Sequence, residues 1–145
     1  MADVKIIDID NVQWNIKDQE ARNKIAEIER LLKTETVGDI PINLNSGNSA
    51  IEARITSIQK YGNIYIGLII IENLIANNIG TLNRVNVGTV NMNVLNNIYS
   101  IGFDYHSGKT VRIRVSPEKN FSIEESSGVS NGKNGIRAQI TWIEP

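Results

Sequence analysis

Ile64-Tyr65-Ile66-Gly67-Leu68-Ile69-Ile70-Ile71 is the stretch whose reading decides the fold. Its eight positions carry no charge and include five isoleucines. β-Branched side chains favour extended backbone, and eight residues are far too few to cross a bilayer as a helix. The stretch reads as a strand that is apolar on both faces. An antiparallel strand normally turns one polar face to water, so the second face here needs a cover, either a loop or another copy of the chain. Charge distribution favours another copy. Residues 61–103 carry only Glu72 and Arg84, whereas residues 1–35 carry 14 of the 31 charged side chains. Interface cores are depleted of charge in this way.

Outward from this strand, residues 50–145 read as short strands separated by turn signals. Ile51, Ala53 and Ile55 alternate with Glu52 and Arg54, and Tyr61-Gly62-Asn63 forms a turn. Val90, Met92 and Val94 alternate with asparagines, and Ile98 to Tyr105 is a further apolar strand. Ser107-Gly108-Lys109 turns into Val111, Ile113 and Val115; Phe121 and Ile123 make a short strand. After a polar loop over 126–135, Ile136, Ala138, Ile140 and Trp142 close the pattern. Seven or eight strands at this spacing predict an antiparallel β-sandwich, jelly-roll-like in its connections.

Toward the N-terminus the pattern changes. Val4 to Ile9 and Val12-Gln13-Trp14 flank Asp10-Asn11, which predicts a β-hairpin. Asn15 or Asp18 can cap a helix running from Lys17 to about Lys33. Ala21, Ile25, Ile28 and Leu32 fall at spacings of four, three and four, the a/d seam of a short coiled coil. The stripe is narrower than that of a helix lying on its own domain, so these four residues are the expected oligomerisation contacts. The organisation expected is 1–35 for hairpin and helix, 36–49 for a linker rich in Gly, Pro and Asn, and 50–145 for the head.

Bulk composition narrows the chemistry. The 145 residues are enough for a genuine core. With no cysteine, disulfides, thiolate metal sites and cysteine nucleophiles are excluded. A net charge of −1 leaves no basic field for phosphates, so nucleic acid is not an expected partner. Three aspartates within Met1 to Asp10 do not fit a signal peptide, and no membrane association is expected of a chain made in the cytoplasm. The 25 isoleucines against 7 leucines, with 19 asparagines, suit strands and turns.

No catalytic, metal or cofactor site emerges. His106, the sole histidine, sits beside a turn with no nucleophile elbow. Asp8 and Asp10 share a strand face but lack a third ligand. Glu124 and Glu125 are adjacent and would point to opposite strand faces, which excludes an acid/base pair. Tyr61, Tyr65, Tyr99, Phe103 and Tyr105 are available to a binding surface, together with the 126–135 loop.

Ile16-Lys17-Asp18-Gln19-Glu20-Ala21-Arg22-Asn23-Lys24-Ile25, following a short hairpin, resembles the N-terminal region of bacteriophage fibre proteins: head fibres, tail fibres and baseplate receptor-binding subunits. Ile75 to Leu82 is similar to the segment that precedes a proline-rich turn in the C-terminal β-domains of that family. Asn83-Arg84-Val85 departs from it, since no proline stands there. The close on Thr141-Trp142-Ile143 is similar too. The resemblance implies a non-enzymatic homotrimer displayed on a virion, joined to capsid or tail proteins through its N-terminal segment. A head fibre that binds host-surface or cell-wall glycan is the first expectation. A tail or baseplate receptor-binding protein and a monomeric carbohydrate-binding module are the alternatives, and a polysaccharide hydrolase is the least favoured.

Overall fold

The computed structural model describes residues 5–9, 12–16 and 19–145, with side-chain surroundings from Arg22 onward except at Leu31 and Leu32. In chain order the elements are β1 (Lys5–Ile9), β2 (Val12–Ile16), α1 (Gln19–Leu32), β3 (Thr34–Val37), β4 (Ile40–Leu44), β5 (Glu52–Tyr61), β6 (Ile64–Glu72), β7 (Val85–Val90), β8 (Ile98–Asp104), β9 (Lys109–Val115), β10 (Asn120–Glu125) and β11 (Gly135–Ile143). They divide into two compact units, Met1–Thr34 and Glu35–Pro145.

The first unit holds an antiparallel hairpin, with Lys5 opposite Ile16 and Ile9 opposite Val12, and then α1. The helix has 14 residues, about 21 Å at 1.5 Å per residue. The expected turn at Asp10-Asn11 and the expected cap Asp18 lie outside the described residues, as do the side chains of Asp8, Asn15, Ala21 and Leu32.

The second unit is a closed eight-stranded antiparallel barrel, which corrects the expected sandwich. Around the ring the order is β4, β7, β10, β9, β8, β11, β6, β5 and back to β4; β3 lies beside β5 on the same side as β4. What closes it is the doubly apolar strand. β6 pairs with β11 along its whole length, from Ile64 opposite Ile143 to Glu72 opposite Gly135. On its other side it pairs with β5 from Tyr61 to Glu52. A sandwich would leave an open edge at this point.

Closure requires strongly bent strands, and irregularities in the pairing supply the bend. One falls between Thr56 and Gln59 of β5, and two more lie in β10. The first is visible in the pattern of burial: Ile55 and Ile58 both point inward, three residues apart instead of two. Gly102 of β8 answers another demand of the ring. A Cβ there would lie 2.3 Å from the Arg137 carbonyl oxygen of β11, so only glycine lets the two strands approach this closely.

The interior is one layer of side chains from every strand. Ile42, Ile55, Ile69, Ile71, Val87, Val111, Ile113, Phe121, Ile123, Ile136, Ile140 and Trp142 are buried. An eight-stranded ring has just this much room, so it is filled by protein and holds no channel. The ends are plugged by chain that the alternation alone misassigns. Val90, Met92 and Val94 were expected in one strand, but β7 runs Val85–Val90. Met92 and Val94 are buried in the non-strand connection that follows. At the opposite end Leu74, Ala76, Ile79 and Val129 are buried beneath two loops. The 36–49 stretch, expected as a linker, contains the end of β3 and all of β4. Its Gly38 and Asp39 merely interrupt a line of two strands.

Phe121 is the largest fully buried side chain of the barrel. Phe121→Ala is expected to destabilise the barrel by about 3–5 kcal/mol, read as a lower denaturant midpoint in tryptophan fluorescence. A loss below about 1 kcal/mol would contradict a tightly filled interior.

Candidate functional site

Side chains outside the apolar interior fall into three groups. The first is a polar clamp where β6, β8 and β11 meet. Asp104, at the end of β8, is fully buried. Its carboxylate accepts hydrogen bonds from the backbone N–H groups of Gly135 at 2.7 Å and of His106 and Ser107 at 3.2 Å each, and from the Ser107 hydroxyl. Burial pushes the Asp104 carboxyl up, but these donors outweigh it and hold the group below the usual carboxylate range. Beside it Arg137 donates to Glu72, and the Tyr105 hydroxyl donates to both Glu72 oxygens at 2.8 and 3.0 Å. The Arg137 guanidinium also lies 5.1 Å from the Tyr105 ring centre. Burial raises the Glu72 carboxyl, and the Arg137 and Tyr105 hydrogen bonds more than reverse it. Both carboxylates are thus fixed as anions and make poor proton shuttles. His106 packs its ring on the edge of Tyr105 at 4.4 Å. Ser107 bonds directly to Asp104 and bypasses the imidazole, the reverse of a triad in which histidine stands between the two.

A second ionic group lies on β9 and β10. Arg84 and Arg114 approach the same Glu124 oxygen at 2.9 and 3.6 Å. Arg112 reaches Glu124 and Glu125, each at 3.8 Å. The expectation that adjacent Glu124 and Glu125 face apart is thus corrected: the irregularity between Ile123 and Glu125 turns both toward one arginine. Among the described residues no group of three or more His, Asp or Glu side chains could hold a metal ion, and no helix is long and apolar enough to cross a membrane.

The third group is uncharged. On β8 the outward row is Tyr99, Ile101 and Phe103, with Ile101 74% and Phe103 53% exposed. At the Ile98 end of β8, Leu95 and Ile143 stand out and border a hollow of about 380 Å³ with Ile98, Thr141 and Trp142. The outer residues of β6 behave differently. Ile66, Leu68 and Ile70 are only half-exposed, and they face Gln59, Thr56 and Arg54 of β5. Ile66 and Leu68, with Gly67 between them, form the floor of a smaller cleft of about 230 Å³, walled by Ser57, Gln59 and Tyr61 of β5 and by Gln139 of β11. The exposed apolar row expected on β6 therefore lies two strands away, on β8.

Of the sites read from the sequence, Ile25 and Ile28 stand on α1 at 57% and 54% exposure. Ala21 and Leu32 have side chains outside the described residues. Among the candidate aromatics, Tyr65 faces inward and stacks on Trp142 at 5.0 Å, with its hydroxyl donating to Glu144 at 2.9 Å. Tyr99 carries the Arg112 guanidinium at 4.8 Å, and Tyr105 belongs to the clamp. Tyr61 lines the cleft over β6. The 126–135 loop is pinned: Asn134 accepts from the Leu74 N–H at 2.9 Å and donates to the Leu74 and Ser130 carbonyls. Ser57, Gln59 and Gln139 went unread. Their one signal was the slip in spacing from Ile55 to Ile58.

Compared with protein-family models, curated proteins and solved structures, the chain matches none.

Asp104→Asn is expected to cost about 1–3 kcal/mol at neutral pH, because a full carboxylate no longer meets four donors. The folded-state value of Asp104 is depressed, so its contribution is present above the unfolded value of about 3.9. It is lost as pH falls through the folded value. Denaturant unfolding of both proteins should therefore show a gap at pH 7 that closes toward pH 2; a gap constant with pH would exclude the anionic clamp.

Proposed function

We propose that the chain is a non-enzymatic, self-associating fibre or spike subunit of a bacteriophage virion. In this reading it is a homotrimer that decorates the particle as a head fibre. The observation that carries the proposal is that each unit leaves apolar side chains open to water. On α1 these are Ile25 and Ile28; on the barrel they are Ile101 and Phe103 of β8, and Leu95 and Ile143 beside the Ile98 end of that strand. Neighbouring arginines are already paired or stacked: Arg112 with Glu124, Glu125 and Tyr99, and Arg137 with Glu72. A row of large apolar side chains beside neutralised charges suits a protein partner.

Spacing on the helix favours a second copy as that partner. Three residues separate Ile25 from Ile28, as in a knobs-into-holes seam. A 14-residue helix is marginal on its own in water, so bundling would stabilise it. Threefold symmetry, attachment through the N-terminal segment and the capsid location rest on the resemblance of residues 16–25 to phage fibre proteins.

Light scattering tests the reading. The intact chain should weigh about three times 16.1 kDa. Ile25→Asp with Ile28→Asp should weaken association by about tenfold or more, leaving a single-chain mass and an unchanged barrel by circular dichroism. Ile101→Asp with Phe103→Asp should weaken it in the same sense. A wild-type chain of 16.1 kDa at micromolar concentration would overturn the proposal.

A further inference from the structure

The loop before β11 holds two Asn-Gly pairs, Asn131-Gly132 and Asn134-Gly135. Asparagine is a thermolabile residue, and most of all before glycine. With no Cβ in the way, the glycine nitrogen can reach the asparagine Cγ.

Neither glycine is free to change. Ser130 to Lys133 is a tight turn, in which the Lys133 N–H donates to the Ser130 carbonyl at 3.3 Å. Its third residue, Gly132, has φ 71°, which glycine adopts without strain. A Cβ on Gly135 would collide with the Tyr105 ring. The fold therefore imposes both labile pairs.

It holds them differently. Asn134 is fully buried. Its carboxamide accepts from the Leu74 N–H at 2.9 Å and donates to the Leu74 and Ser130 carbonyls at 2.9 and 2.8 Å. The Gly135 N–H, which would have to attack, donates to the buried Asp104 carboxylate at 2.7 Å. An anion on that N–H opposes loss of its proton. Asn131 is exposed. Its carboxamide oxygen accepts from the Ala76 N–H at 3.1 Å, and the Gly132 N–H donates to the neutral Leu74 carbonyl at 2.8 Å. Opening the first pair breaks these two bonds at the surface; opening the second breaks four in the interior.

The reaction needs only water. The Gly132 nitrogen bonds to Asn131 Cγ, the Cγ–Nδ2 bond breaks, and ammonia leaves with the proton of the Gly132 N–H. Water then opens the cyclic imide at either carbonyl, giving aspartate or isoaspartate. An aspartate at 131 keeps an oxygen for the Ala76 N–H. At 134 a carboxylate would face the Leu74 and Ser130 carbonyls with no donor left.

We propose that Asn131 is a self-modification site, deamidated in the folded chain, and that the Asp104 carboxylate and the buried carboxamide bonds preserve Asn134 from the same reaction. Each event adds one negative charge to a chain of net −1, beside the barrel end that Leu74 and Ala76 plug.

The test is incubation of the intact chain at mildly alkaline pH, with peptide mapping by mass spectrometry. Asn131 should convert at least about tenfold faster than Asn134, because deeper hydrogen bonding raises the cost of local opening. In denaturing urea the two should convert at similar rates. Asp104→Asn, shown to be folded by circular dichroism, should speed conversion at Asn134 by about fivefold and leave Asn131 unchanged. The proposal is overturned if Asn131 stays intact in the folded chain while converting in urea, or if Asn134 converts as fast. It is equally overturned if Asp104→Asn speeds both pairs alike or neither. The comparison of the two sites in the unaltered chain requires no variant to fold.

Discussion

Everything in the larger unit depends on β6 being hydrogen-bonded along both sides. Its partners are β11 on one side and β5 on the other. Eight of its nine residues are thereby shared by two ladders, and the sheet has no place to end. Inward residues Tyr65, Ile69 and Ile71 become part of a ring interior, and outward residues Ile66 and Leu68 become the floor of a groove between two walls. The run that is apolar on both faces is explained within one chain by this geometry. Its second face is half-covered by long side chains from β5 and β11.

Most of the strands were legible because alternation is a local property. β5, β6, β8, β9, β10 and β11 all fall on stretches where apolar residues recur at every second position or fill every position. The architecture was not legible, since the inner face of a sandwich and the interior of a barrel demand the same alternation. Which one forms depends on whether the first and last strands meet, and that pairing is non-local. Residues 36–49 were obscured by Gly38, Pro41 and four asparagine or glycine positions further on, although Ile40 and Ile42 keep the strand period. Val90, Met92 and Val94 failed in the opposite sense: plugging a barrel end also needs apolar residues, and their spacing imitates a strand.

The site was less legible than the fold for a related reason. Tyr61 was visible as an aromatic, but Ser57, Gln59 and Gln139 are ordinary residues for a strand surface. Only the pairing of β5 with β6, and of β6 with β11, places them around one floor. Charged residues were misleading in the other direction. Asp104, Glu72, Glu124 and Arg137 have the look of chemistry in a list, yet in space each carboxylate is committed to donors that keep it ionised or to arginines that neutralise it. These groups fasten neighbouring strands together, and the surfaces left open to water are uncharged.

The ring order also has a kinetic meaning. Four of its pairings, β4–β5, β5–β6, β8–β9 and β9–β10, join strands adjacent in sequence; the other four join distant ones. Hairpins form within microseconds, whereas distant pairings are slow. Two three-strand sheets, β4–β6 and β8–β10, should therefore exist before β11 arrives. β11 is the last barrel strand to be synthesised, and it must slide between β6 and β8. Until it does, both of those strands offer bare rows of N–H and C=O groups, and the β11 of a neighbouring nascent chain fits them equally well. Strand exchange between copies made close together is the characteristic hazard of this topology.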